Sequence, residues 1–350
     1  MSDNIASTSD VAPAHRFDTV RLEAWLQGHI DGFGAQMQVR QFQGGASNPT
    51  FLLTTEGPDG PLRYVLRKKP PGVLLASAHQ VDREFRIMKA LANSAVPAPV
   101  MRILCEDPDI IGAAFYVMDY LEGRIFRDAQ LPGQSPAERA AIYDELNATL
   151  AKLHQVDFEA VGLGDFGRAS GYFERQVARW TKQYRGAETE PCPAMEQLIA
   201  DLPARIPSDT AVSIAHGDYR LENVMFHPTE PRLIAVLDWE LSTIGHPLAD
   251  LGYNAFLWHS VNPGWGSLVG VDFAASGIPS EADYVSAYCR RTGRDSVEDL
   301  NFYIAFGAFR LASISQGVYR RVLSGSVAST REAINGCPHL AEMALDLLRR

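Results

Sequence analysis

Residues 216–223 read His-Gly-Asp-Tyr-Arg-Leu-Glu-Asn, and Leu237-Asp238-Trp239-Glu240 closes an apolar run in which Asp238 follows Asn223 by fifteen positions. Transfer of a phosphoryl group needs a carboxylate that orients the attacking hydroxyl and oxygen ligands that hold Mg²⁺ against the phosphates. Asp218, Asn223 and Asp238 supply those groups in that order: Asp218 is the expected base, and Asn223 and Asp238 are the expected metal ligands. His216 is expected to orient this loop through backbone hydrogen bonds and to carry no proton.

Composition bounds the rest. A chain of 350 residues, 46% hydrophobic, is long enough for two lobes, each with a buried core. A net charge of −10, with no cluster of five or more Lys and Arg, argues against a nucleic-acid partner. Cys105, Cys192, Cys289 and Cys337 lie far apart, which points to buried thiols in a reducing cytosol and away from a zinc site or a disulfide framework. No signal-peptide core and no eighteen-residue apolar run occurs, so the expected compartment is the cytoplasm, without a membrane partner. No motif speaks to oligomeric state.

The texture changes near residue 123. Before it, strand-like runs (Met37–Phe42, Thr50–Thr55, Leu62–Arg67, Phe115–Tyr120) surround a single helical stretch, Ala78–Leu91. After it, helices are expected at Ala137–His154, Tyr172–Tyr184, Glu281–Arg291, Val297–Val322 and Ala328–Leu348, with short strands at 212–215, 224–227 and 233–237 beside the chemical motif. The expected division is a disordered N-terminus over 1–16, a strand-rich nucleotide lobe over 17–122 and a mainly helical catalytic lobe over 123–350.

Gln43-Gly44-Gly45-Ala46-Ser47-Asn48 lies between two strand patterns, where it is either ordinary hairpin chemistry or a loop folding N–H groups over phosphates, with Ser47 and Asn48 as contacts. Tyr64-Val65-Leu66-Arg67-Lys68-Lys69 ends a strand in cations, and alternation puts Val65 and Arg67 on one face and Leu66 and Lys68 on the other. Arg67 is the first choice for gripping phosphates and Lys68 the alternate; solvated cations on an edge strand are the plainer reading. Glu84, bordering the apolar stripe of Val81, Phe85 and Met88, is the expected partner of the strand cation. Phe115–Gly123 reads as a strand leaving the lobe, and by comparison with kinases its backbone at Asp119 and Leu121 is expected to meet adenine.

The chain resembles the aminoglycoside phosphotransferase and choline kinase group of protein-kinase-like small-molecule kinases. More narrowly, it is similar to the phosphotransferase domain found ahead of acyl-CoA dehydrogenase domains in some fusion proteins. The likeness runs from about residue 30 to the C-terminus and is carried by Gly-Gly-Ala-Ser-Asn-Pro-Thr at 44–50, Val-Leu-Arg-Lys-Lys-Pro-Pro-Gly at 65–72, His-Gly-Asp at 216–218 and Leu-Asp-Trp-Glu at 237–240. It implies an α+β, bilobal kinase-like fold with an antiparallel N-lobe sheet, ATP and Mg²⁺ as cofactors, and a small hydroxyl-bearing substrate. A hydroxyacyl-CoA or hydroxy acid leads among the acceptors, ahead of choline-like amines, aminoglycosides and sugars; a nucleotide-binding pseudokinase is the alternative from another class. Arg67 in place of Lys, and Glu240 soon after Asp238, also match choline-kinase-like members. Glu240 is either a second metal support or, in the simpler role, a solvated or Arg-paired carboxylate.

Some features are set aside. Gly162–Gly167 contains both Gly-x-Gly-x-x-Gly and Asp-Phe-Gly, yet it precedes the catalytic loop and follows a helix, so it reads as a turn. His154 is expected as a cap or core histidine, and Asp250 as a brace for the metal loop. Arg175, Arg179 and Lys182 share one helix face and are candidates for the phosphates of a CoA thioester, against the alternative of a solvated basic stripe.

Overall fold

Alternating apolar residues in the first third of the chain build a twisted antiparallel sheet with a different partner on each face. The computed structural model describes residues 7–43, 48–57, 60–70, 80–261, 266–325 and 334–350. Within them the chain divides into two units, Met1–Ile125 with Asn223–Leu241, and Phe126–Glu222 with Ser242–Arg350.

The strands of the first unit are β1 (Thr8–Ser9), β2 (Ala35–Phe42), β3 (Thr50–Gly57), β4 (Gly60–Lys68), β5 (Met101–Cys105) and β6 (Phe115–Asp119). Among the described residues they form one sheet in the order β1-β2-β3-β4-β6-β5, antiparallel throughout. Helix α1 (Thr19–Gln27) covers one face: its Leu22 and Leu26 share a core with Phe51 and Leu53 of β3, Leu66 of β4, and Phe115 and Val117 of β6. Helix α2 (Val81–Leu91) packs near β5 and β6, and α3 (Pro108–Ile111) joins those two strands. Two expectations are thereby corrected. This unit has a second full helix, α1, capped by the Asp18 side chain, and residues 8–9 are ordered into β1 opposite Phe42 and Gln41. Residues 1–6 lie outside the described residues.

The hairpin of β8 (Val224–Phe226) and β9 (Leu233–Val236) also belongs to the first unit, tied to it by a bridge between Arg124 and Phe226. The chain can pass close to this hairpin because residue 123 is glycine: a Cβ there would lie 2.5 Å from the Phe226 carbonyl oxygen.

The second unit is mainly helical, with α4 (Pro136–His154), α5 (Tyr172–Ala187), α6 (Pro193–Asp201), α7 (Pro247–Ala255), α8 (Phe273–Ser276), α9 (Glu281–Thr292), α10 (Leu300–Leu323) and α11 (Cys337–Arg349). Short strands β7 (Ser213–Ala215) and β10 (Thr243–Gly245) pair beside the loop that begins at His216. The helix α4 starts at a Ser135–Glu138 capping box with Pro136 in its first turn, the strongest start signal in the sequence. Residues 162–167 form turns between α4 and α5, as expected. No helix among the described residues is long and apolar enough to cross a membrane.

Candidate active site

The candidate carboxylates are placed by backbone that their own sequences force. In the first unit, Arg67 and Tyr116 sit opposite each other on β4 and β6, on the sheet face turned away from α1. Arg67 reaches Glu84 of α2 at 3.2 Å, Asp238 at 2.9 Å and Glu240 at 3.8 Å. Burial alone would lower the Arg67 pKa; Tyr116, Glu84, Asp238 and Glu240 more than offset it and raise it above the ordinary value. Glu84 is 1% exposed and accepts from the Asn48 amide at 2.8 Å and the Tyr116 hydroxyl at 3.0 Å. Its pKa is raised, chiefly by burial, against the opposing pull of Arg67 and those two bonds. Of the two forms of the simpler role expected for Glu240, solvated or Arg-paired, its carboxylate takes the Arg-paired one.

Asn223 and Asp238 are brought together by the β8–β9 hairpin. The Leu237 N–H donates to the Asn223 carbonyl at 2.8 Å, directly before Asp238, whose φ of +61° turns the chain out of the strand. The helical turn over Trp239–Leu241 follows and packs against α2, with the Trp239 indole donating to the Val236 carbonyl at 3.0 Å. An amide and a carboxylate at neighbouring strand ends are hard oxygen donors of the kind Mg²⁺ takes while drawing its remaining ligands from phosphate and water. No group of three or more His, Cys, Asp or Glu side chains suited to a metal occurs among the described residues.

In the second unit, the loop carrying Asp218 hangs from one buried carboxylate. Asp250, in the first turn of α7, accepts from the His216 N–H at 2.6 Å and the Gly217 N–H at 2.8 Å, while His154 lies 3.3 Å from it. His154 also meets the Tyr288 hydroxyl at 2.7 Å, so it is a core histidine. Burial would raise the Asp250 pKa, but the hydrogen bond and charge of His154, the nearby His216 and the Gly217 N–H hold it below the usual carboxylate value. Gly217 adopts φ +83°, where glycine is least strained, and the turn lets the His216 ring accept from the Asp218 N–H at 3.1 Å. Asp218 itself accepts from the Tyr253 hydroxyl at 2.5 Å and lies 3.7 Å from Arg220, which pairs with Glu222 at 2.8 Å.

Several expectations need correction. Lys68 shares the α1 face with Leu66, and its ammonium lies 5.3 Å from the Phe17 ring centre, so it is not part of the Arg67 cluster. Asn48 is buried and its amide nitrogen donates to Glu84, which gives it a part in holding that carboxylate. The Asp119 N–H donates to the Val100 carbonyl at 2.9 Å and its side chain takes Arg102 at 2.6 and 2.8 Å, so any backbone contact from Asp119 to adenine falls to its carbonyl. Leu121 follows β6 in irregular chain. Ser47 lies outside the described residues. Asp250 braces the 216–218 loop and not the metal loop, because its backbone donors are His216 and Gly217. Arg175 is engaged with the Arg168 carbonyl at 2.6 Å.

Tyr116 and Tyr253 were missed. Tyr116 carried a signal, since its strand parity matches a residue facing Glu84. Tyr253 follows Asp250 by three positions on one helix face, but nothing in the sequence said that this face meets Asp218.

Comparisons with known proteins bear on this geometry. Residues 38–288 match the model of the phosphotransferase enzyme family. Acyl-CoA dehydrogenase family member 11 of Rattus norvegicus is 46% identical over 99% of this chain, and its human counterpart is 45% identical over 98%. The chain spans less than half of those relatives, 45% and 44% of their lengths. A crystal structure of a provisionally named aminoglycoside phosphotransferase from Ralstonia eutropha JMP134 superposes with TM-score 0.86 at 48% identity, covering 95% of this chain and 99% of that one. Choline kinase from Cryptosporidium parvum shares the fold, with TM-score 0.65 at 14% identity over 95% of each chain.

Proposed function

The chain belongs to the phosphotransferase enzyme family, and from that premise we propose that it transfers the γ-phosphoryl group of ATP to a hydroxyl of a small molecule, with a hydroxyacyl-CoA or hydroxy acid as acceptor. The observation that carries the reading is the Arg67 cluster, a buried cation held between Glu84 and the metal-type carboxylate Asp238. Such a fixed charge is ready-made for phosphate oxygens and needs no reorganisation when they arrive.

In this reading Asp218 accepts the hydrogen bond of the acceptor hydroxyl and orients its oxygen toward the γ-phosphorus. The new O–P bond forms as the bond from phosphorus to the β–γ bridging oxygen breaks, ADP leaves, and the hydroxyl proton passes to Asp218. Tyr253 donates to the other side of that carboxylate and fixes its rotamer. Asn223 and Asp238 would hold Mg²⁺, which supplies charge neutralisation on the phosphates when bound. His216, through its backbone and its ring, keeps the loop in register. Catalysis of this kind is positioning plus electrostatics.

The acceptor class draws support from the relatives, whose names carry acyl-CoA dehydrogenase. Phosphorylating a hydroxyl turns it into a leaving group, a sensible step ahead of acyl-CoA chemistry. The test is ADP release across hydroxyacyl-CoAs, hydroxy acids, amino alcohols and aminoglycosides. Efficient turnover of amino alcohols or aminoglycosides, with every hydroxyacyl compound inert, would overturn the acceptor assignment and leave the general phosphotransferase.

A further inference from the structure

Hydrogen-bond donors without acceptors gather in the second unit around Arg310, whose guanidinium lies against the tyrosine that donates to Asp218. Arg310, on α10, is 5% exposed, and its Nε and Nη2 have no hydrogen-bond partner among the described residues. Its guanidinium carbon lies 4.3 Å from the ring centre of Tyr253 and 6.0 Å from that of Trp180. Trp180 is 4% exposed, and its indole N–H likewise has no acceptor among the described residues. Tyr253, stacked on the cation, is the residue that donates to Asp218. Arg179 reaches solvent on α5, and its pKa is lowered chiefly by desolvation, with Tyr172 opposing and the like charge of Arg310 adding to the lowering.

Stacking on an aromatic face offsets part of the cost of burying a guanidinium. It does not satisfy the N–H groups, and a buried charge left without an acceptor is among the costliest features a fold can keep. Two such donors in one neighbourhood, reached from the proposed base through a single tyrosine, make sense where the acceptor atom arrives with a ligand.

We propose that Arg310 is the acceptor-binding residue of this site and that it takes an acyl oxygen of the substrate, the carboxylate of a hydroxy acid or the carbonyl of its thioester. The proposal rests on the phosphotransferase reading above and narrows its substrate. Trp180 supplies a second donor to the same oxygen-rich group. A cationic amine meets repulsion from Arg310 and Arg179 in place of a partner. The Tyr253 ring couples the two ends of the task, since it lies against the cation that reads the acyl group and bonds the carboxylate that orients the hydroxyl.

The test follows ADP release with acceptors of matched length: a hydroxy acid, its pantetheine thioester, the corresponding amino alcohol and the corresponding diol. Pantetheine lacks the phosphates of CoA, so a preference for it comes from the acyl oxygen. The acid or the thioester should show the lowest KM, with the acid ahead if charge is read and the thioester ahead if the carbonyl is read. Arg310→Met should raise that KM about 10–100-fold, the range expected for losing a hydrogen bond from a charged donor, and Arg310→Lys should fall between, with KM for MgATP unmoved in both. Because Arg310→Met can disturb the core, wild type is also challenged with butyrate and butylamine; butyrate should compete with the acceptor and butylamine should not. The proposal is overturned if the amino alcohol is the best acceptor, if Arg310→Met folds and leaves the acid and thioester KM unaltered, or if butyrate fails to compete. Those results would leave the phosphotransferase standing. No ADP release with any acceptor, together with no MgATP binding, would sink that reading and the proposal with it.

Discussion

At the scale of single residues, Asp218 carries the sharpest expectation. Asp218→Asn keeps the shape but weakens acceptance of the hydroxyl proton, so turnover should fall ~10²–10⁴-fold while calorimetry shows MgATP affinity near wild type. Asp238→Asn removes charge facing the metal and should damage nucleotide binding and turnover together; identical phenotypes for the two variants would mean that their roles are misassigned. Asp250 makes a different contribution, to the fold of the loop. Its folded pKa lies below the usual value because the bonds and charges of His154, His216 and Gly217 outweigh burial. Its stabilisation is therefore fully present above the unfolded carboxylate pKa of about 4 and is lost as pH falls through the lower folded value. Asp250→Asn should cost about 2–4 kcal/mol at neutral pH and flatten the acid limb of stability. Urea midpoints taken from pH 7 down to pH 3 check this, and an unchanged acid slope would remove Asp250 from the account. Arg67 and Glu84 were legible because strand parity and a helix stripe each leave few faces to choose from. Arg310 was not, because an arginine inside the apolar pattern of Phe309 and Leu311 shows its lack of a partner only after α5, α7 and α10 have packed.

At the scale of elements, the crossing of α7 and α10 is the tightest test of the helical unit. Gly252 faces Tyr303 so closely that a Cβ would lie 2.4 Å from the Tyr303 carbonyl carbon, and Gly307 faces the Tyr253 backbone at 3.3 Å. Gly252→Ala must push the helices apart and should cost about 1–3 kcal/mol, lowering Tm and, through Tyr253, loosening the bond to Asp218. Gly317→Ala, further along α10, meets only the end of Arg321 at 3.9 Å and should stabilise by about 0.5–1 kcal/mol. If thermal melts rank the two variants the other way, the crossing is not the tight contact described. Long helices with a wet face, such as α4 and α9, could be read from periodicity to within a few residues. The elements that escaped were short or locally ambiguous: α1 spans nine residues with only Leu22 and Leu26 fully inside, and β10 spans three, too few for a period to show. The Asp18 cap before α1 was a readable start signal.

At the scale of the whole molecule, a ligand that binds only the folded chain should raise its stability. MgATP at a hundredfold excess over its Kd should add about 2.7 kcal/mol, seen as a rise in Tm that chelation of Mg²⁺ abolishes; an equal rise with ATP and chelator would contradict the roles given to Asn223 and Asp238. The kinase-like architecture was visible through the family resemblance carried by motifs in order along the chain, with Asp218, Asn223 and Asp238 among them. The acceptor was not visible, since the site proposed for it joins residues of helices far apart in sequence. The backbone leaves the first unit after Ile125, returns at Asn223 and leaves again after Leu241. Neither unit is thus encoded by an uninterrupted stretch of gene. Swapping the first unit between two such genes would take three crossovers, after codons 125, 222 and 241, where a simple modular protein needs one. Lineages carrying this chain should therefore inherit the two units as a single cassette, with new specificity arising by point substitution within it and not by recombination.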